Sequence, residues 1–82
     1  MITERGVFSM TEIQIKLSPE SVSTFVKKAQ DCDFNVDIAY DRLEIDAKSL
    51  LGILSLDLNK ILHVKMFGHN EALEDYLQTL AV

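Results

Sequence analysis

The stretch Asp33–Ala47, DFNVDIAYDRLEIDA, decides how the rest of the chain is arranged. Phe34, Val36 and Ile38 alternate with polar or small residues, and so do Leu43, Ile45 and Ala47. A period of two marks strands with one buried face. Only Tyr40-Asp41-Arg42 separates the two runs, short and polar enough for a tight hairpin turn. The segment contains no Asn-Gly pair, so the turn type is left open. Strands joined this tightly must be antiparallel, because a parallel pair needs a crossover of about a dozen residues.

Working outward, MTEIQIKL alternates as cleanly: Ile13, Ile15 and Leu17 point one way, Glu12, Gln14 and Lys16 the other. SPESVSTFVKKAQD follows, with Ser18 as N-cap and Pro19 at the first helical position, where its missing N–H costs nothing. Val22, Phe25, Val26 and Ala29 fall at i, i+3, i+4 and i+7, an apolar helical stripe, and Lys27 and Lys28 suit the negative end of the dipole. Beyond the hairpin, NKILHVKMFG reads as a further strand with Leu62, Val64 and Met66 on one side, ended by Gly68. NEALEDYLQTLAV reads as a last helix, with Asn70 as N-cap and Leu73, Tyr76, Leu77 and Leu80 as its stripe.

With a short helix in DAKSLLGILSLD, the order becomes β-α-β-β-α-β-α. The hairpin makes a doubly wound parallel arrangement uneconomical, so the expected class is α+β. One antiparallel sheet would carry the helices on a single face. The opposite face should be wet, and Glu12, Gln14, Lys16, Asn35, Asp37, Glu44 and Asp46 are polar as that requires.

At 82 residues a single domain with a modest core is expected. We read residues 10–82 as that domain and residues 1–9, which show no period, as an N-terminal extension, with Met10 as a candidate start. The net charge of −5, from 8 basic and 13 acidic residues, disfavours nucleic acid, whose phosphates an acidic surface repels. No apolar run approaches the roughly 20 residues that cross a bilayer, and MITERGVFSM has no apolar stretch of the secretory kind. The lone Cys32 offers no disulfide framework, so the expected setting is cytoplasmic.

The short helix is the unusual element. Placed at Leu50 to Ser55, it has Leu50, Ile53 and Leu54 at i, i+3 and i+4 as a buried stripe, with Leu51 about 100° away and Leu56 and Leu58 after the turn. These are more large apolar side chains than one buried face uses. Either some lie at the surface, where apolar clusters often mark docking, or the following loop folds over them. Ser49 stands where an N-cap belongs. It is either a capping hydroxyl alone or also a phosphorylation site, since a phosphate there would meet free N–H groups and the positive end of the dipole. Lys48, next in sequence, stands within reach of such a phosphate.

DAKSLLGILSLDLNK resembles the regulatory-serine region of the HPr family, the small phosphocarriers of the bacterial sugar phosphotransferase system, and STFVKKAQ is similar to the family's first helix. The resemblance runs from about Met10 to Leu80 and implies an open two-layer sandwich with sheet order 1-4-2-3. It fails where the family does its chemistry. The family's loop reads Gly-Leu-His-Thr-Arg-Pro-Ala, its histidine accepting phosphate from Enzyme I, whereas this chain reads LSPESVS. Ser18 takes the histidine's place, Glu20 the arginine's and Ser21 the proline's. A serine hydroxyl lacks the near-neutral nucleophilicity of imidazole, and Glu20 would repel a phosphoryl group.

No other residue pattern suggests an enzyme. His63 should face the wet side of the sheet, and His69 should lie at the end opposite the loop after the first strand. Neither histidine shows metal-ligand spacing with a carboxylate, and no cofactor is expected. Cys32 lies between Asp31 and Asp33, which disfavour its thiolate. The family includes a form linked to catabolite repression that lost the histidine and kept the serine. The resemblance therefore implies a non-catalytic regulator, with Ser49 as acceptor for an HPr kinase. Leu50, Leu51 and Leu54, with Lys48, would form the surface for the kinase or a transcriptional regulator. The alternatives are an interaction module without phosphorylation, and a working phosphocarrier.

Overall fold

A computed structural model of the protein describes residues 10–82. The extension expected over residues 1–9 lies outside the described residues. Strand β1 is Thr11–Ile15, followed by a 3-10 turn at Pro19–Ser21 and helix α1 at Val22–Gln30. Strands β2, Val36–Tyr40, and β3, Leu43–Asp46, precede helix α2, Leu50–Leu54. Strand β4, Leu62–Met66, and helix α3, Glu71–Leu80, complete the chain. The sheet order is β1-β4-β2-β3, antiparallel throughout, which is the 1-4-2-3 order expected.

The register explains the alternation. Ile13 stands opposite Val64, Val64 opposite Ile38 and Ile38 opposite Ile45, so one row of branched side chains crosses the whole sheet. Ile15 pairs with Leu62, and Met66 with both Thr11 and Val36. Ile15, Val36, Ile38, Leu62, Val64 and Met66 are completely buried. Helices supply the other half of the core: Val22, Phe25, Val26 and Ala29 from α1, Ile53 from α2, and Leu73 and Leu77 from α3. Each fully buried large aliphatic side chain contributes roughly 1.5–3 kcal/mol relative to exposure. The odd-even partner set, Glu12, Gln14, Asp37, Glu44 and Asp46, lies on the opposite, wetter face.

In the hairpin, Tyr40 pairs with Leu43 across the two-residue turn Asp41-Arg42. Asp41 sits at φ 52, in the left-handed region that Asp tolerates through local hydrogen bonding. Helix α3 begins as its sequence predicts: the Asn70 side chain accepts the Leu73 N–H at 2.9 Å, and Glu74 accepts the Asn70 N–H at 3.1 Å.

Three local expectations are corrected. Ser18 does not cap α1. It is extended, its hydroxyl meets that of Ser21 at 2.9 Å instead of a backbone N–H, and the first turn is 3-10, so α1 starts at Val22. Leu43, expected in the core, is 50% exposed, because it ends an edge strand at the hairpin where no helix reaches over it. In α2 only Ile53 of the expected stripe is buried; Leu50 and Leu54 face outward.

The cause of the last correction is Gly52. A methyl group built on it would lie 2.6 Å from Ile45 Cγ2 and 3.1 Å from Ser49 Oγ, so the glycine face of the helix rests on β3. The buried arc of α2 is centred between Ile53 and Gly52. At about 100° per residue that places Leu50 roughly 110° from the centre and Leu51 and Leu54 roughly 150° away. Their exposures, 44%, 81% and 58%, follow that order. Gly52→Ala should gain about 1 kcal/mol in helix propensity and lose about 1–3 kcal/mol to overpacking against Ile45. A net fall in the urea midpoint is expected; a rise would show that α2 is not seated closely on β3.

Candidate functional site

The candidate site is α2 with the residues that anchor its start. Ser49 is extended, at φ −98 and ψ 107, and partly buried. Its Oγ accepts the Gly52 N–H at 3.1 Å and its carbonyl accepts the Ile53 N–H at 3.0 Å. The serine expected to cap this helix therefore does so. Ser55 repeats the device at the other end, donating its hydroxyl to the Gly52 carbonyl at 2.6 Å. Ser49 thus satisfies a backbone N–H that a five-residue helix would otherwise leave to water, and Ser55 adds a second donor to a carbonyl that already accepts its own N–H at 3.1 Å.

Lys48 is placed differently from its expected role beside Ser49. Its ammonium donates to the Cys32 carbonyl at 2.8 Å, its own carbonyl accepts from Gln30 Nε2 at 2.9 Å, and its N–H donates to Asp46 Oδ1 at 2.9 Å. The first two bonds strap the C-terminal end of α1 to the segment that enters α2. They join residues 16 and 18 positions apart, so no periodicity in the sequence announces them. Aspartate two residues before a backbone N–H is the only local signal.

Cys32 is buried and directs its thiol to the Lys28 carbonyl at 3.6 Å. Burial pushes the thiol pKa up; Lys48 opposes this, and Asp31 and Asp33 add to it. The flanking aspartates act in the direction expected, but desolvation is the larger cause. A buried, protonated thiol is a poor nucleophile.

The structure does not gather Ser18, His63 and His69. Ser18 is exposed at the β1–α1 link. His63 lies on the wet sheet face, with Nδ1 2.7 Å from Glu12 Oε2. His69 follows β4, beyond Met66, which pairs with the first residue of β1; the link after β1 is at the opposite end. Its Nδ1 is 3.5 Å from Glu74 Oε2. Among the described residues, no group of three or more His, Cys, Asp or Glu is arranged to hold a metal ion.

The wet face carries its own electrostatic order. Lys65 Nζ donates to Glu44 Oε1 at 3.2 Å and stands across from both Glu12 and Asp37. Lys65, with help from Asp37, holds the Glu44 carboxyl below its ordinary value. Asp37 is pushed up, first by burial and then by Glu44, its hydrogen-bonded neighbour. The two carboxyls are thus shifted in opposite directions by the same local arrangement.

Comparison with protein-family models, with curated proteins and with solved structures finds no match to this chain.

Two outcomes follow from this geometry. Ser49→Ala leaves the Gly52 N–H without its acceptor and should cost about 1 kcal/mol in urea unfolding. Asp37→Asn removes a like-charge contact on the sheet and should stabilise by about 0.5 kcal/mol at neutral pH. Because the folded state binds the Asp37 proton more tightly than the unfolded chain, the cost of ionising Asp37 is absent below its ordinary pKa, builds up as pH rises toward the raised one and is complete above it. The advantage of Asp37→Asn should therefore vanish on acidification, and a gain that persists in acid would contradict it.

Proposed function

We propose that the protein is a non-catalytic, HPr-like regulatory protein of the bacterial cytoplasm, tied to the phosphotransferase system and to carbon catabolite regulation. It would act by protein–protein contact through α2. The observation that carries this reading is the outward set Leu50, Leu51 and Leu54 on a helix too short to need them. Three large apolar side chains on one solvent-facing surface cost solubility without stabilising the fold, which favours a docking use. The Ser49 cap and the Lys48 bonds hold the start of the helix in place, and a preformed surface loses less ordering entropy on binding.

Ser49 would be the regulatory phosphoacceptor for an HPr kinase. Its hydroxyl lies one position before the leucines, so a phosphate would add about −2 charge at the border of the apolar surface. A transcriptional regulator would then distinguish the two forms. The link before α1 supports the absence of phosphocarrier chemistry: Ser18 and Glu20 offer neither imidazole nor cation, and the Ser18 hydroxyl is paired with that of Ser21.

A second reading is an interaction module on the same scaffold with no phosphorylation. Ser49 Oγ already serves as the helix cap and the Lys48 ammonium is committed to the Cys32 carbonyl, which favours a structural role for both.

Incubation with an HPr kinase and ATP should phosphorylate the wild-type chain and not Ser49→Ala. Absence of incorporation in the wild type removes the phosphoacceptor assignment and leaves the second reading. Pull-down should recover phosphotransferase or carbon-regulation proteins, and the double variant Leu51→Ser, Leu54→Ser should lose them while folding normally. Equal recovery by that variant would remove α2 as the docking surface. Transfer of phosphate from phosphoenolpyruvate through Enzyme I should be absent.

A further inference from the structure

A cleft of about 510 Å³ opens at the end of the sheet where the β1–α1 link, the α2–β4 loop and the last turn of α3 meet. Its apolar lining comes from Leu17, Pro19, Leu58 and Leu80. Leu17 is buried and packed in the core, while Leu58 and Leu80 are only partly covered and turn apolar surface into the opening. The polar part is Lys16, Asn59 and Ser18. The volume falls within the range of about 300–1,000 Å³ typical of small-molecule sites.

Lys16 sets the chemistry. Its ammonium donates to the Asn59 carbonyl at 2.6 Å, which holds it beside the cleft. That bond uses one of three donors. Among the described residues, no carboxylate lies within ion-pair distance of Lys16, whereas Lys60 is paired with Asp41 and Lys65 with Glu44. In a chain of net charge −5, this sets a positive charge beside an apolar hollow, with the Asp57 carboxylate turned onto the Asn59 N–H at 3.0 Å. A single cation matches a single negative charge; a dianionic phosphate would need further donors.

We propose that this cleft binds a small aliphatic carboxylate, its chain against Leu58 and Leu80 and its carboxylate on the Lys16 ammonium. No residue of α2 lines the cleft, so this inference stands or falls apart from the docking surface.

The test is titration of the isotopically labelled full chain with hexanoate, hexan-1-ol and hexylammonium, followed by NMR. Hexanoate should shift the Leu58 and Leu80 methyl signals and the Lys16 amide saturably. It should bind roughly fivefold more tightly than the alcohol, the gain of one exposed ion pair, and hexylammonium should bind most weakly. Lys16→Met keeps the stem, removes the charge and, at an exposed position, should leave the spectrum of the fold intact. It should lower hexanoate affinity to that of hexan-1-ol and leave hexan-1-ol unchanged. No saturable shift at Leu58 and Leu80, equal affinity for the three probes, or unchanged hexanoate affinity in Lys16→Met would each overturn the assignment.

Discussion

Strand β4 is the member on which the sheet depends. It comes last among the described strands in the chain yet is paired on both sides, with β1 through Ile13–Val64 and with β2 through Val64–Ile38. Its inward residues Leu62, Val64 and Met66 are completely buried, and its outward residues His63 and Lys65 organise the charges of the other face. Without it β1 and the β2–β3 hairpin would not be joined into one sheet; on its other edge β1 meets only the chain end, through the Ile15–Ala81 bridge. The core therefore closes only when residues separated by some fifty positions meet, as in Thr11 with Met66, which is the kind of non-local pairing that slows folding.

Within that frame, the placement of α2 shows how one missing methyl group exposes three leucines. A side chain at position 52 would keep the helix away from Ile45. Without one, α2 settles on β3, its buried arc moves toward the glycine, and the leucines turn to solvent. The Ser49 cap and the Lys48–Cys32–Gln30 strap fix the start of the helix against β3 and α1. Packing, capping and surface character are consequences of the same local arrangement.

The sequence was legible where its period was pure. Strand alternation, the hairpin, the α1 and α3 stripes and the Asn70 and Ser49 caps depend on contacts within a few positions or on a simple inside–outside division. Leu43 misled because alternation reports which side of the strand a residue takes, not how far the covering helix extends. The α2 stripe misled because a five-residue helix cannot fix its own rotation by periodicity; the glycine contact across to β3 does so. Ser18 misled because a serine followed by proline fits a cap, yet the hydroxyl found another hydroxyl three residues on. The Lys48 strap and the Lys16–Asn59 bond span 16 and 43 positions and have no local signature.

Charge is divided between the surfaces in a way that constrains how the protein can be used. On the sheet face, Lys65 is surrounded by Glu12, Asp37 and Glu44, and Asp37 is pushed up first by burial and then by its carboxylate neighbours Glu44 and Asp46. Near α2 the Lys48 ammonium is turned onto a backbone carbonyl. A partner approaching α2 would meet apolar surface on a preformed helix and would not have to neutralise the acidic face. A charge added at Ser49 would therefore alter the character of that surface more than a charge added anywhere on the sheet. In the proposed reading, that asymmetry is why a phosphate at the helix start would act on docking more than one on the sheet.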